Sequence, residues 1–204
     1  MERARPERGN RRLGVRVSLA LGLALSLTAP PATAGDGRPA EPAGYRTHDY
    51  RSPVPATLRG ATVVSDREAM RLWTSRGALF IDVMPRPPKP AGLPAGTLWR
   101  PQARRNIPGS VWLANVGFGV LSPELEAYFR SNLARLTGGD RAKPLLFYCL
   151  ADCWMSWNAA RRALAWGYRR VFWYPAGTDG WVAAGGGLGE SEPVPSRAEA
   201  PAAR

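Results

Sequence analysis

Cys149 and Cys153 are the two cysteines of this 204-residue chain, and they stand four positions apart in Tyr148-Cys149-Leu150-Ala151-Asp152-Cys153-Trp154-Met155-Ser156-Trp157. An apolar run ends at the first, and a helix-like pattern begins just after the second. A thiol placed between strand and helix has solvent access at the carboxyl end of a sheet. It also faces a helix N-terminus, whose free N–H groups and positive dipole end favour thiolate over thiol. Two such thiols side by side suit redox or sulfur chemistry. A persulfide or sulfenic acid on Cys149 is open to attack by Cys153, which acts as a resolving thiol and closes a disulfide. A curled loop of this length can bring the two Cα atoms into the ~4.4–6.8 Å window that a disulfide needs. A staple across so short a step would constrain little of the unfolded chain, so the pair reads as reactive.

The neighbours of the cysteines carry two readings each. Trp154 and Trp157 form either an aromatic wall for a flat ligand or part of the core. Ser156 either caps the helix or donates to a cysteine sulfur. Asp82 ends another strand on the same side as Cys149 and suits a loop-holding role better than acid–base work, while Asp179 suits the cap of a last short helix. The one histidine, His48, excludes a multi-histidine metal site and a Cys-x-x-Cys-His haem attachment. It lies in a Pro-rich approach segment and would have to fold back to pair with a thiol.

The elements that position these residues follow from pattern. Residues 61–65 read as a short strand, and Asp66 as the cap of a helix reaching Trp73. Residues 78–83 form a buried strand, followed by a long Pro-rich loop over 85–102 of the kind that is often functional. Residues 106–112 turn into a strand. Ser122-Pro123-Glu124 is a strong helix start, with Gly138-Gly139 as its stop. Residues 145–148 form a second buried strand, 156–165 a helix closed by Gly167, and 170–174 the last strand before a turn and a short helix from Gly177. Alternation of strands and helices predicts an α/β single domain with a mainly parallel central sheet flanked by helices.

The first 34 residues read as an export signal. Six arginines precede an apolar run over 17–28, and Ala32-Thr33-Ala34 is a small-residue cleavage site. The apolar run is shorter than the ~20 residues of a membrane span, so no stable span is expected after cleavage. These residues carry six Arg against Glu2 and Glu7, which lowers the net charge of +12 on their removal. Export argues against a nucleic-acid partner and agrees with a compartment that permits disulfides. Residues 35–58 read as a Pro/Gly-rich N-terminal arm, lying on the domain or acting as a linker. Residues 187–204 read as a disordered tail.

Four stretches, in order, resemble a rhodanese domain over about residues 60–185. Phe80-Ile81-Asp82-Val83 is similar to its strand ending in Asp, and Asn106-Ile107-Pro108-Gly109-Ser110 to its His-Ile-Pro-Gly-Ala turn, with Asn in place of His. Leu146-Phe147-Tyr148-Cys149 is similar to the strand that delivers the active cysteine, and Val171 to Trp181 to the closing strand, Gly turn and Trp. The resemblance implies a rhodanese-like domain over 59–186. It also implies an anion nest around the Cys149 sulfur, built from the loop Leu150, Ala151, Asp152, Trp154, Met155 and Ser156. The run 147–157, with Pro85–Pro90 and Gly177–Trp181, is similar to the exported rhodanese-like proteins of the PQQ-dependent catabolism-associated CXXCW-motif family. That narrower resemblance implies a supporting role in periplasmic quinoprotein alcohol oxidation, with an indirect link to PQQ and no covalently bound cofactor. The implied partner is a quinoprotein dehydrogenase or a c-type cytochrome. No loop position from Leu150 to Trp157 is basic, and Asp152 would repel an anionic donor. This departs from thiosulfate sulfurtransferases unless Arg161 or Arg162 reaches the mouth. Three functions are therefore set side by side: thiol–disulfide or sulfur transfer by the pair, thiosulfate-type sulfurtransfer, and a non-catalytic binding module on the same fold.

Overall fold

The structure, a computed structural model, describes Met1 and residues 37–87, 90–100 and 102–195. Apart from Met1, the expected signal segment lies outside the described residues, as does the end of the expected tail, 196–204. The described residues from 37 onward belong to one compact unit.

Five short strands make the central sheet: β1 (Thr62–Val63), β2 (Leu79–Asp82), β4 (Val111–Trp112), β5 (Leu145–Tyr148) and β6 (Val171–Tyr174). Their order is β1-β6-β5-β2-β4, and every pairing is parallel. The α/β class with a mainly parallel sheet flanked by helices is what the chain adopts. In the two central strands Phe80, Ile81 and Asp82 are buried, as is all of β5, as strands covered on both faces require. Side chains alternate between the faces. Ile81, Leu145, Phe147, Val171 and Trp173 pack with Phe129 and Leu133 of α2 (Pro123–Thr137) and with Trp157, Ala160 and Ala163 of α3 (Trp154–Ala165). Phe80, Leu146, Tyr148 and Tyr174 pack on the other face with Ala69 of α1 (Asp66–Thr74) and Trp181 of α4 (Gly177–Ala183). Each large apolar side chain fully buried in this way contributes roughly 1.5–3 kcal/mol.

Two expected helix starts shift. Helix α1 is capped by Ser65, which forms a capping box with Glu68, so Asp66 is its first helical residue. Helix α3 begins at Trp154 with Cys153 as N-cap, two residues before the expected start. Helix α2 keeps its expected Ser122 cap, Pro in the first turn and left-handed Gly138 stop.

Two further strands lie outside the expected pattern. β3 (Arg104–Asn106) pairs antiparallel with β7 (Gly189–Ser191). The residues just after β7 run beside β4: Val194 N–H donates to the Trp112 carbonyl at 2.9 Å, and the Tyr128 hydroxyl donates to the Val194 carbonyl at 2.7 Å. The expected disordered tail is thus corrected over 187–195, where strand pairing satisfies the polar backbone of a Gly- and Glu-rich stretch. The N-terminal arm lies on the domain. Asn158 of α3 accepts from Arg46 N–H and donates to the carbonyls of Arg46 and Gly117. Trp157 Nε1–H donates to the Thr57 carbonyl at 3.2 Å. Helix α3 is therefore covered by the sheet on one side and by the arm on another, which is why nine of its twelve residues are buried.

Candidate functional site

Strand β5 ends in Tyr148, and the alternation that turns Leu145 and Phe147 toward α3 also turns Cys149 that way. Asp152 adopts a left-handed conformation, φ 49°, which Asp tolerates better than most residues. The loop curls there and returns Cys153 to Cys149. The two sulfurs lie 2.7 Å apart, and both cysteines are free.

The two thiols are not equivalent. Burial pushes the Cys149 thiol well above its ordinary value, and its hydrogen bond to Cys153, the negative charge of Cys153 and that of Asp82 push the same way. The Cys153 thiol is lowered to about 7, first by the hydrogen bond from Cys149 and then, against burial, by the main-chain N–H groups of Met155, Leu150 and Ser156. Of the two, Cys153 is therefore the thiol that ionises more readily, and it stands at the start of α3, where the helix dipole favours an anion. This reverses the expected assignment. The nest of amides forms around Cys153, because the curl of the loop sets Cys153 and not Cys149 against the first turn of α3.

Access is also corrected. Cys149 is 0% exposed and Cys153 3%, so the mouth of the sheet is covered. The cover is the N-terminal arm. Arg51 forms a β-bridge with Cys153, Ser52 N–H donates to the Asp152 carbonyl at 3.1 Å, and Trp154 N–H donates to the Tyr50 carbonyl at 2.9 Å.

The aromatic wall is closed as well. Trp154 and Trp157 meet edge to face with ring centroids 5.4 Å apart. Trp154 Nε1–H donates to Ser52 Oγ and to the Pro53 carbonyl, each at 3.1 Å. Both indoles are filled by the arm, and both rings are core. The Ser156 hydroxyl neither caps α3 nor bonds sulfur: it donates to the Cys153 carbonyl at 3.0 Å and accepts from Trp173 Nε1–H at 3.0 Å. Leu150 and Ala151 are half-buried, Asp152 is exposed, and Met155 is buried.

Asp179 lies in the first turn of α4 and caps nothing. Its carboxylate accepts the Ala151 N–H at 2.9 Å and pins the cysteine loop. The N–H of Thr178 donates to the Cys149 carbonyl at 3.1 Å. Gly177, at φ 52°, approaches so closely that a Cβ there would lie 2.6 Å from the same oxygen.

Asp82 accepts from the Met84 N–H, just beyond its own strand, and from Arg104 of β3. It is fully buried, and Arg104 binds it through two nitrogens, Nε to Oδ2 at 2.8 Å and Nη2 to Oδ1 at 3.2 Å. Burial pushes the Asp82 carboxyl up, while Arg104, the Met84 N–H and Asn106 pull it down. Arg104 Nη2 also donates to the Cys149 carbonyl at 3.4 Å. The basic group beside the cysteine loop is therefore Arg104. Arg161 is engaged by the carbonyls of Pro42 and Ala43, and Arg162 by those of Val116 and Gly119. His48 is exposed and pairs with Thr47 and Asp49.

Sequence reasoning missed Arg104, Met84 and the seat of the N-terminal arm over the thiols. A buried strand-end Asp implies a cation, but nothing local says which of the many arginines supplies it. Met84 lies two residues beyond Asp82, and its Sδ is 3.6 Å from Cys149 Sγ. Among the described residues no group of three or more His, Cys, Asp or Glu converges as a metal site, and no helix is long and apolar enough to cross a membrane. A groove lined by Trp73, Phe80 and Pro108 opens at the amino end of β2, at the opposite end of the sheet from the thiols.

No protein-family profile matches the chain, and no curated protein does. Among solved structures the chain is similar to an uncharacterized protein from Saccharomyces cerevisiae, with 21% identity, coverage of 61% of this chain and 93% of the other, and a TM-score of 0.37. It is also similar to the polysulfide-sulfur transferase homodimer from Wolinella succinogenes, with 17% identity, coverage of 63% and 78%, and a TM-score of 0.39.

Proposed function

We propose that this chain is an exported rhodanese-like thiol protein whose Cys149–Cys153 pair carries out thiol–disulfide exchange in support of quinoprotein alcohol catabolism. The observation that carries the exchange chemistry is the 2.7 Å contact between two sulfurs of unequal proton affinity. The Cys153 thiolate attacks one sulfur of a partner disulfide, forming a mixed disulfide and releasing one partner thiolate. Cys149 gives its proton to that leaving group and attacks Cys153 sulfur. A Cys149–Cys153 disulfide forms, the second partner sulfur leaves as a thiolate that solvent protonates, and two electrons have passed to the partner. The reverse sequence oxidises a partner dithiol.

Thiosulfate-type transfer is the weaker reading. Arg104 is taken up by Asp82, and Arg161 and Arg162 by main-chain carbonyls, which leaves none of these three to bind a dianionic donor. The rhodanese-like assignment draws support from three of the four motif stretches, which fall on adjacent strands: β2 ends in Asp82, β5 delivers Cys149, and β6 leads to the Gly177 turn that holds it. The link to PQQ and to a periplasmic dehydrogenase or cytochrome rests on the CXXCW-like run, and export rests on the first 34 residues. Cell fractionation and a pull-down from the periplasm test these two.

The deciding experiment for the exchange chemistry is a redox titration of the pair followed by alkylation. Reversible disulfide formation is expected, at a potential above the roughly −300 mV of structural disulfides. Independent alkylation of both cysteines after oxidation, with no disulfide at any potential, would refute the mechanism.

A further inference from the structure

We propose that Met84, Cys149 and Cys153 form a soft, sulfur-only site for monovalent copper. Three elements bring the three sulfurs together. Met84 follows β2, Cys149 follows β5, and Cys153 opens α3, with Cys149 Sγ lying 3.6 Å from Met84 Sδ and 2.7 Å from Cys153 Sγ. The site uses the pair in its reduced form, as the proposed function requires, but it does not depend on disulfide exchange.

Met84 is held for this position through both of its main-chain groups. Its N–H donates to Asp82 Oδ1 at 3.0 Å, and its carbonyl accepts Trp112 Nε1–H at 2.7 Å. Among the described residues, the nearby hard donors are already engaged. Both Asp82 oxygens are taken by Arg104 and Met84, and His48 is exposed on the arm, against Asp49. A donor set of two thiolates and one thioether selects a soft ion, and copper(I) is the abundant one that thiolates and thioethers prefer.

Charge and solvent fit the same ion. Two thiolates and one monovalent cation leave a single negative charge, and the Arg104 guanidinium reaches the Cys149 carbonyl at 3.4 Å. The buried cysteines keep water from the metal, which favours the monovalent state. On binding, the Cys153 thiolate makes one Cu–S bond, Cys149 makes a second as its S–H proton leaves, and the Met84 sulfur lone pair makes the third; no electron is transferred. The two cysteine sulfurs must part to admit the ion. The loop between them has the freedom to allow it, since Leu150 and Ala151 are half-buried and Asp152 is exposed.

The test is an anaerobic titration of the fully reduced chain with copper(I) held by the chromogenic chelator bicinchoninate, followed by X-ray absorption of the loaded protein. One equivalent should leave the chelator and acquire a shell of three sulfurs. Met84→Leu conserves volume. Removing an outer partner of a metal ligand generally lowers affinity about 10–100-fold, so losing the direct ligand Met84 should lower it at least about tenfold and leave a two-sulfur shell. Cys149→Ser should abolish competition with the chelator. Failure of the wild-type chain to compete, a two-sulfur shell in wild type, or unchanged affinity in Met84→Leu would overturn the site. Disulfide formation is measured separately on copper-free protein. A chain that forms the disulfide but takes no copper refutes the site alone, and one that takes copper but never forms the disulfide refutes the exchange function alone.

Discussion

The main-chain N–H of Trp154 donates to the carbonyl oxygen of Tyr50 at 2.9 Å. This amide belongs to the first turn of α3, beside the Cys153 thiol, and an unpartnered N–H there would face an incoming anion or water. Its partner comes from the arm, more than a hundred residues earlier in the chain. The same arm bridges Cys153 at Arg51 and fills the indoles of Trp154 and Trp157. The arm thus lies over the buried thiols.

Gly119 offers a way to lift the arm without touching the cysteines, because a Cβ at this position would collide with the Arg46 carbonyl and Thr47. Gly119→Ala is expected to raise the alkylation rate of the reduced pair by about tenfold or more, since ~1.4 kcal/mol of added opening is a factor of ten in the open population. Stopped-flow alkylation with a small maleimide checks this. An unchanged rate would show that the arm does not gate the thiols.

The pH profile of alkylation should carry the signature of the pair. A thiol is inert below its pKa and reactive above it, so the rate should rise through about 7, the value to which Cys153 is lowered. Cys149→Ala removes the largest of the lowering causes, the hydrogen bond from Cys149. The inflection should then move upward, because the thiolate loses its proton donor and keeps only the amides. A downward shift, or none, would refute Cys149 as the group that lowers the Cys153 thiol.

Asp82 and Arg104 form the buried ion pair beneath the loop. Breaking such a pair by removing one partner typically costs about 3–5 kcal/mol, because a charge is left buried and alone. Arg104→Met is expected to fall in that range by urea unfolding. The double variant Arg104→Met with Asp82→Leu should recover part of the loss. If the double variant is as unstable as the sum of the singles, the two residues do not act as a pair.

The loop that presents the sulfurs depends on two backbone conformations. Gly177→Ala places a Cβ 2.6 Å from the Cys149 carbonyl at φ 52° and should cost about 1–3 kcal/mol. Asp152, at φ 49°, is exposed, so Asp152→Gly should be tolerated, whereas Asp152→Val should cost on the order of 1–2 kcal/mol. Thermal unfolding of the three variants gives the ranking.

The candidate site was legible from residue types and local spacing. Two cysteines flanking a short loop after an apolar strand, a helix pattern beyond them and an acid closing a second strand named Cys149, Cys153 and Asp82, and alternation along the chain named the parallel sheet. These features are local, and periodicity and capping report them directly. Which thiol carries the charge, which arginine neutralises Asp82, and whether the thiols face water were decided by the tertiary structure. Each depends on groups far apart in sequence: the curl at Asp152 that turns Cys153 into the amides, the β3–β7 pairing that delivers Arg104, and an arm that satisfies the backbone and indoles of α3. Local pattern carries no record of such contacts, because a Pro-rich segment reads the same whether it is free or laid down over a helix.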